Sequence, residues 1–230
     1  MLSNLPLYIS MLFIFTTILT AIFFIAAIRE NNSTRTVVLV SVIICGWLVI
    51  HAILALKNFY AVTDSIPPRF TLLTLPPFLI IIILFITNSG RRFIDSLSLK
   101  LLTQLHVVRI FVEIILFWLF LYKFIPRLMT FEGRNFDILA GLSAPLVAYL
   151  GFTKNTLGKK FMFAWNIICL LLLLNIVVNA ILSAPFPFQQ FAFDQPNIAV
   201  LYFPFVWLPG FIVPVVLFSH LVLIRRLSKK

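Results

Sequence analysis

Glu113 lies in the middle of the apolar run Leu101–Leu121, with Arg109 about one helical turn before it and His106 one turn earlier. At about 100° per residue these three side chains fall within roughly 60° of one another, so a helix presents them on one face. A carboxylate, a guanidinium and an imidazole on one face could bind an anion, exchange a proton or ligate a metal. In a membrane each charge costs at least ~2.5–3.5 kcal/mol at the bilayer centre, so we expect this face to contact protein or water.

The composition places this run in a membrane. Of 230 residues, 62% are hydrophobic, and the mean hydropathy is +1.10, whereas soluble domains are about 45–50% apolar. The net charge of +11 could indicate nucleic-acid binding, but most Lys and Arg residues lie in short loops beside apolar segments. Membrane topology accounts better for that placement, so we predict no nucleic-acid partner and expect the lipid bilayer as the surroundings. Cys45 and Cys169 lie within apolar runs, which predicts buried thiols and no disulfide.

The apolar segments predict an all-α fold, a polytopic transmembrane helix bundle that forms a single domain over residues 1–230. A span needs about 20 apolar residues, and seven candidates follow in the sequence: Leu7–Ile28, Thr36–Leu56, Phe70–Thr87, Leu101–Tyr122, Asp137–Phe152, Phe161–Leu182 and Ala199–Ile224. The fifth is short and contains Gly141, Pro145 and Gly151, so a re-entrant segment is the alternative there. No basic residue precedes the first span, which predicts a membrane helix and not a cleaved signal peptide.

Lysine and arginine predict the orientation of these spans. With the N-terminus outside, twelve basic residues lie on the inner side: Arg29, Arg35, Arg91, Arg92, Lys100, Lys154, Lys159, Lys160, Arg225, Arg226, Lys229 and Lys230. Five lie on the outer side: Lys57, Arg69, Lys123, Arg127 and Arg134. Because cytoplasmic loops carry the excess of Lys and Arg, the N-terminus is predicted outside and the C-terminus inside.

The predicted orientation assigns depths to the polar side chains. Gln104, His106, Asn166 and His220 lie at a similar inner depth, with Arg109 just above them and Glu113 near the centre. Asp137 and His51 are expected on the outer side of Glu113. Asn175, four residues before Asn179 on the same helix face, is about level with Glu113 and is its predicted partner.

Several hypotheses follow from this arrangement. In the structural hypothesis, Arg109 and Glu113 form an ion pair that neutralises itself and fixes the packing of the helices. In the functional hypothesis, the protein binds or translocates a small polar or anionic solute, or protons, with Arg109 as the partner of an anion and Glu113 as the titrating group. The site would then comprise Arg109, Glu113, Gln104, His106, Asn166, His220 and Asp137.

Two further alternatives stay open. His106 and His220 could ligate haem or a metal from neighbouring helices, although no HxxxH or HExxH spacing occurs and no cofactor is otherwise expected. The chain could also be an accessory subunit without chemistry of its own. A hydrolase built on Glu113, Asp137 and His220 lacks the GxSxG and paired-Asp motifs, so the sequence favours a protein that is not an enzyme.

Segments between and within the spans also carry predictions. The stretch Phe93–Leu101 is amphipathic and is predicted to lie along the inner interface. The loop Ile125–Phe136 is too apolar for a free linker and is expected to fold back over the bundle. Pro204, Pro209 and Pro214 each remove a backbone donor, which predicts a kinked or partly unwound last helix.

Four sequence pieces resemble a family of uncharacterised bacterial multi-pass inner-membrane proteins. They are Pro67-Pro68-Arg69, the set Gln104, Arg109 and Glu113, the stretch Gly133-Arg134-Asn135-Phe136-Asp137 with Gly141, and Phe203-Pro204 through Pro214 to His220. The resemblance implies a seven-helix bundle in a bacterial inner membrane. It implies no activity.

Overall fold

The computed structural model describes residues 2 and 4–229, and all regular structure in this part of the chain is helical. Lys230, which was counted among the inner basic residues, lies outside the described residues. The α-helices are α1 (Leu7–Arg29), α2 (Thr34–Leu56), α3 (Thr71–Ile86), α4 (Asn88–Ser96), α5 (Leu99–Leu105), α6 (Val108–Leu121), α7 (Ile138–Ala148), α8 (Lys159–Leu182) and α9 (Val213–Ser228). A π-helical turn extends α7 over Tyr149–Thr153, and another precedes α9 over Leu208–Ile212.

The lengths and composition of these helices are those of a multi-pass membrane protein. Five helical segments are long and apolar enough to cross a bilayer: Leu7–Arg29, Thr34–Leu56, Leu99–Leu121, Lys159–Leu182 and Leu208–Ser228. A sixth is obtained if α3 and α4, which meet at an angle of 95°, count as one bent span. The segment Ile138–Thr153 is apolar but shorter. The count of seven spans stays a prediction.

One predicted boundary is wrong, and one predicted segment is divided between two helices. The last helix does not begin at Ala199, because a short 3₁₀ turn and irregular chain precede Leu208, where prolines withhold backbone donors. The amphipathic stretch Phe93–Leu101 is not one element. Helix α4 ends at Ser96, and α5 begins at Leu99 after Ser98, whose hydroxyl accepts from the Leu101 N–H at 3.5 Å.

One end of the bundle, here called the basic end, gathers the C-termini of α1, α4 and α9. The Ser98 N–H donates to the Ala27 carbonyl at 3.0 Å, which fixes the start of α5 beside the end of α1. Lys229 Nζ donates to both oxygens of Asp95 at 2.9 and 2.8 Å, which holds the end of α9 on α4. This hydrogen bond lowers the pKa of Asp95 below its usual value.

The other end, here called the proline-rich end, consists of the segments 57–70, 122–137 and 183–207. The N–H groups of Ile198 and Ala199 both donate to the Phe124 carbonyl at 3.1 Å, so the chain before α9 lies against the end of α6. The Asn197 N–H donates to the Ser183 carbonyl at 2.8 Å, which fixes the same segment to the end of α8.

Helix α6 lies near the centre of the bundle and positions the polar residues. It packs against α1 on one side and α7 on another. Its side chains Val108, Ile115 and Leu119 are almost completely buried and belong to the largest apolar core. Because α6 is enclosed by other helices, Arg109 and Glu113 face protein and a cavity. This agrees with the expectation that their charged side chains avoid lipid.

Candidate functional site

Arg109 pairs with Asp137, the residue that precedes α7. Arg109 Nε donates to Asp137 Oδ2 at 2.6 Å, and Nη2 donates to Oδ1. Both residues are buried, with only 2% and 4% of their surface exposed. This two-pronged arrangement matches the planar guanidinium fork to a carboxylate and is the strong form of the ion pair.

The remaining donors of Arg109 connect it to two more helices. Nη1 lies 3.0 Å from His220 Nε2 on α9, and Nη2 donates to the Cys169 carbonyl on α8 at 3.0 Å. The guanidinium therefore connects α6 to α7, α8 and α9 through hydrogen bonds. Each of its three nitrogens therefore has a partner within the protein.

The predicted ion pair between Arg109 and Glu113 is wrong. Asp137 takes the guanidinium because the segment between α6 and α7 descends into the bundle. Asp137 consequently lies beside Arg109 and not on the outer side of Glu113, as its position at the start of the fifth span had suggested. A carboxylate on a facing segment can present both oxygens to the guanidinium fork, which explains why it displaces the neighbour on the same helix.

Gly141 permits the close packing that brings Asp137 to Arg109. A Cβ at this position would lie 2.8 Å from Ile110 Cγ1 and 2.9 Å from the Ile110 backbone nitrogen. Only a residue without a side chain therefore lets α7 lie this close to α6. Asp137 is one turn before Gly141, so the same approach places its carboxylate at Arg109.

Glu113 has a different environment, although it lies only one turn from Arg109. Its Oε1 accepts a hydrogen bond from Asn135 Nδ2 at 2.6 Å. Its Oε2 has no hydrogen-bond partner among the described residues, and the residue is 1% exposed. The site therefore consists of an Arg–Asp pair and a separate glutamate, and not of the predicted Arg–Glu pair.

The partner of Glu113 was predicted to be Asn175, which is wrong. Asn175 is exposed and donates to the Arg134 carbonyl at 2.7 Å. Asn135 takes its place, oriented by the Asp137 N–H, which donates to Asn135 Oδ1 at 3.0 Å. The available signal was the loop Ile125–Phe136, which was predicted to fold back over the bundle and which supplies the buried Asn135.

Three of the predicted inner residues come together next to this pair. His220 Nδ1 bonds to Asn166 Oδ1, and the rings of His106 and His220 stack with centroids 4.0 Å apart and planes 18° apart. Both ring nitrogens of His106 lack a hydrogen-bond partner within the described part of the chain. Gln104 is half-buried, and its side chain forms no hydrogen bond with any described residue.

The stacked histidines do not fit haem. An iron with two axial histidines lies between two ring nitrogens, whose lone pairs point towards it from opposite faces of the macrocycle. In His106 and His220 the ring faces are in contact, so the lone pairs lie side by side and no macrocycle fits between the rings. Over residues 4–229, no group of three or more His, Cys, Asp and Glu side chains is suited to a metal ion.

A half-open cavity of about 280 Å³ adjoins Glu113. Helices α3, α6 and α8 and the segment Leu208–Val216 form its walls. Its polar lining consists of Thr71, Thr74, Arg109, Glu113, Asp137 and Asn197, and the rest of the lining is apolar. The volume is close to the lower limit for small-molecule sites, which are about 300–1,000 Å³ and largely apolar with a few polar groups.

Asn197 supplies a second acceptor in this cavity, which no pattern in the sequence had indicated. Its Nδ2 donates to the Ala180 carbonyl at 3.2 Å. Its Oδ1 has no partner among the described residues, and the residue is 1% exposed. The cavity is therefore lined by two residues that each have a buried oxygen without a donor.

A family model for a domain of unknown function, DUF8737, matches residues 66–228, and the chain belongs to this family. The matched region begins before α3 and contains every residue of the polar site and the cavity. No curated protein and no solved structure matches the chain.

Proposed function

We propose that this member of the DUF8737 family binds a small molecule in the cavity, with Glu113 as the binding group. The observation that carries the proposal is the buried Oε2 atom of Glu113, which has no donor among residues 4–229 although its residue lines the cavity. A buried acceptor without a hydrogen bond costs about 1–3 kcal/mol, and more if it is charged. A ligand that donates to this oxygen removes that cost.

The charges around the cavity indicate a cationic or hydrogen-bond-donating ligand. Among the described residues that line the cavity, Arg109 is the one basic side chain, and Asp137 already neutralises it. An anionic solute, which the sequence had suggested, would have to displace Asp137 from two hydrogen bonds. A cation at Glu113 instead balances the second acidic side chain of the lining.

A second candidate is translocation of that ligand or of protons. The cavity extends to Arg109 and Asp137, and beyond them lie the hydrogen-bonded side chains of His220 and Asn166. Polar side chains such as these can exchange hydrogen-bond partners when a solute passes between them. Close-packed apolar side chains cannot move apart without leaving voids. Ligand-dependent flux in proteoliposomes that Glu113→Gln abolishes would support this candidate, and binding without flux would leave binding alone.

The proposed topology has seven crossings of a bacterial inner membrane, with the N-terminus outside and the C-terminus inside. The contacts of Ser98 with Ala27 and of Lys229 with Asp95 support it, because they gather the ends of α1, α4 and α9 on one side. The basic residues of these segments would then face the cytoplasm. Helix α7 is short because Asp137 already lies beside Arg109, and the descending loop before it would complete the fifth crossing.

Binding of n-butylammonium to the protein in lipid nanodiscs tests the proposed function. Glu113→Gln keeps the acceptor for Asn135 and removes the charge, so the affinity should fall at least tenfold, the equivalent of about 1.4 kcal/mol. Glu132→Gln is the matched control, because Glu132 is exposed in the loop between α6 and α7. Equal affinity of the wild type and Glu113→Gln would overturn the proposal.

A further inference from the structure

We infer that the ligand is an amphiphile with an alkyl chain and an ammonium head, which enters from the bilayer between α3 and α8. The inference rests on the proposed function, because it assigns the head to Glu113. It adds the class of the ligand and its route, which the charge of Glu113 alone does not specify.

The walls of the cavity fit an alkyl chain better than a small polar solute. Phe78 of α3 and Leu173, Val177 and Ile181 of α8 contribute apolar side chains along the length of the cavity. A small hydrated cation at Glu113 would leave these walls without contacts. An alkyl chain covers them, and each methylene removed from water contributes about fourfold in affinity.

The inferred entrance is the gap between α3 and α8, two helices that line the cavity and have apolar outer surfaces. Helix α3 packs on α4, on α9 and on the π-helical turn before α9, whereas α8 packs mainly on α9. Of the residues that line the gap, Ile181 is 49% exposed, and Phe78 and Val177 are half-buried. A gap flanked by apolar side chains in a membrane-spanning region admits a molecule that is already dissolved in the bilayer.

The two unpaired acceptors, Glu113 Oε2 and Asn197 Oδ1, suit a ligand with an ammonium head and a second hydrogen-bond donor. Asn197 lies at the level of Ala180 on α8, because its Nδ2 donates to the Ala180 carbonyl. Glu113 lies near the level of Asn175, because its partner Asn135 follows Arg134, whose carbonyl accepts from Asn175. Asn175 and Ala180 are five residues apart on α8, which corresponds to roughly 7.5 Å along the helix. An ammonium group fits Glu113, and a hydroxyl or amide donor further along the ligand fits Asn197.

An anionic amphiphile of the same length does not fit the cavity. The lining has one cationic side chain, Arg109, whose donors are engaged by Asp137, His220 and Cys169. A carboxylate head next to Glu113 would place two like charges in a poorly hydrated site. The sign of the head group is therefore a direct test of the inference.

The test compares radiolabelled n-dodecylammonium, n-butylammonium and dodecanoate, each corrected for binding to empty nanodiscs. Ala180→Phe places a bulky side chain in the cavity at the level of Asn197, about 7.5 Å along α8 from the level of Glu113. It should lower the affinity for dodecylammonium at least tenfold and leave that for butylammonium within twofold. Ala164→Phe, at an exposed position on the same helix, is the matched control. Val177→Phe fills the same part of the cavity if Ala180→Phe does not fold.

The outcomes separate this inference from the proposed function. Dodecylammonium binding that depends on Glu113 and on Ala180, with no saturable dodecanoate binding, supports the inference. The inference is overturned, and the proposed function stays in place, if butylammonium binding depends on Glu113 but neither Ala180→Phe nor Val177→Phe lowers the affinity for dodecylammonium. If neither ammonium probe depends on Glu113, the proposed function fails as well.

Discussion

Two regions of the polar interior, one turn apart on α6, differ in how their hydrogen bonds are satisfied. At Arg109, the donors of a buried guanidinium meet Asp137, His220 and Cys169. At Glu113, a buried carboxylate meets one amide, and its Oε2, like Asn197 Oδ1, has no donor in the part of the chain that the structure describes. Native proteins pair most buried polar groups. The first region therefore has the properties of a structural element, and the second has the unpaired acceptors that the proposed binding site requires.

His106 qualifies this comparison. It lies beside the satisfied region, and both its ring nitrogens are without partners in the described chain. It does not line the cavity, however, and its ring packs on His220 and against Trp165. What separates the two regions is thus the combination of an unpaired acceptor and access to a cavity.

The largest expected effect comes from breaking the satisfied region. Asp137→Ala leaves the guanidinium of Arg109 buried without its counter-charge, so the free energy of unfolding should fall by about 3–5 kcal/mol. This free energy is measured by unfolding the protein in mixed micelles with an increasing fraction of dodecyl sulfate. Replacing both partners, with Arg109→Met and Asp137→Leu, should recover most of the loss, because no unpaired charge remains. A double variant as unstable as Asp137→Ala would contradict a purely structural role for the pair.

A smaller effect is expected from moving α7 away from α6. Gly141→Ala adds a Cβ 2.9 Å from the Ile110 backbone nitrogen, which overpacks the contact and should cost about 1–3 kcal/mol in the same unfolding assay. Gly46→Ala is the matched control, because a Cβ there meets no atom within 4 Å. That variant should be more stable by about 0.5–1 kcal/mol, as alanine is the better helix former. Equal effects at the two glycines would mean that α7 does not need its close approach.

The smallest effect is expected at an ion pair outside the polar interior. Asp95 pairs with Lys229 at the basic end, where 37% and 51% of the two side chains are exposed. Asp95→Asn should therefore cost less than about 1 kcal/mol, in contrast to the buried pair. Salt should weaken the pair further.

The pH dependence of Asp95 has a definite sign. The hydrogen bond from Lys229 lowers its pKa from the ordinary value of 3.8, so the unfolded chain binds the proton more tightly than the folded protein. The stabilising contribution is complete above that ordinary value and is lost as the pH falls through the lowered pKa. Unfolding curves of the wild type and Asp95→Asn should converge in that acidic range, and a difference that grows on acidification would contradict the assignment.

The sequence predicted more of the fold than of the site. Apolar runs gave the helical class and most helix positions, because a membrane span must satisfy its own backbone. The face shared by His106, Arg109 and Glu113 was predicted to avoid lipid, and all three residues are buried. The partners came out wrong because pairing depends on how deeply the loop before α7 descends, and local spacing does not encode that depth. Asn197 was missed for the same reason, since its neighbours in space are distant in sequence.

The central claim is that Glu113 is the open acceptor of a ligand cavity, and modification by an apolar carbodiimide tests it most directly. In nanodiscs, dicyclohexylcarbodiimide should reach Glu113 through the cavity, and peptide mass spectrometry should locate the adduct there and not at Asp137, whose carboxylate is paired with Arg109. Dodecylammonium should slow this labelling at least tenfold, while dodecanoate should leave its rate unchanged. An unlabelled Glu113, or labelling that dodecylammonium does not slow, would contradict the claim.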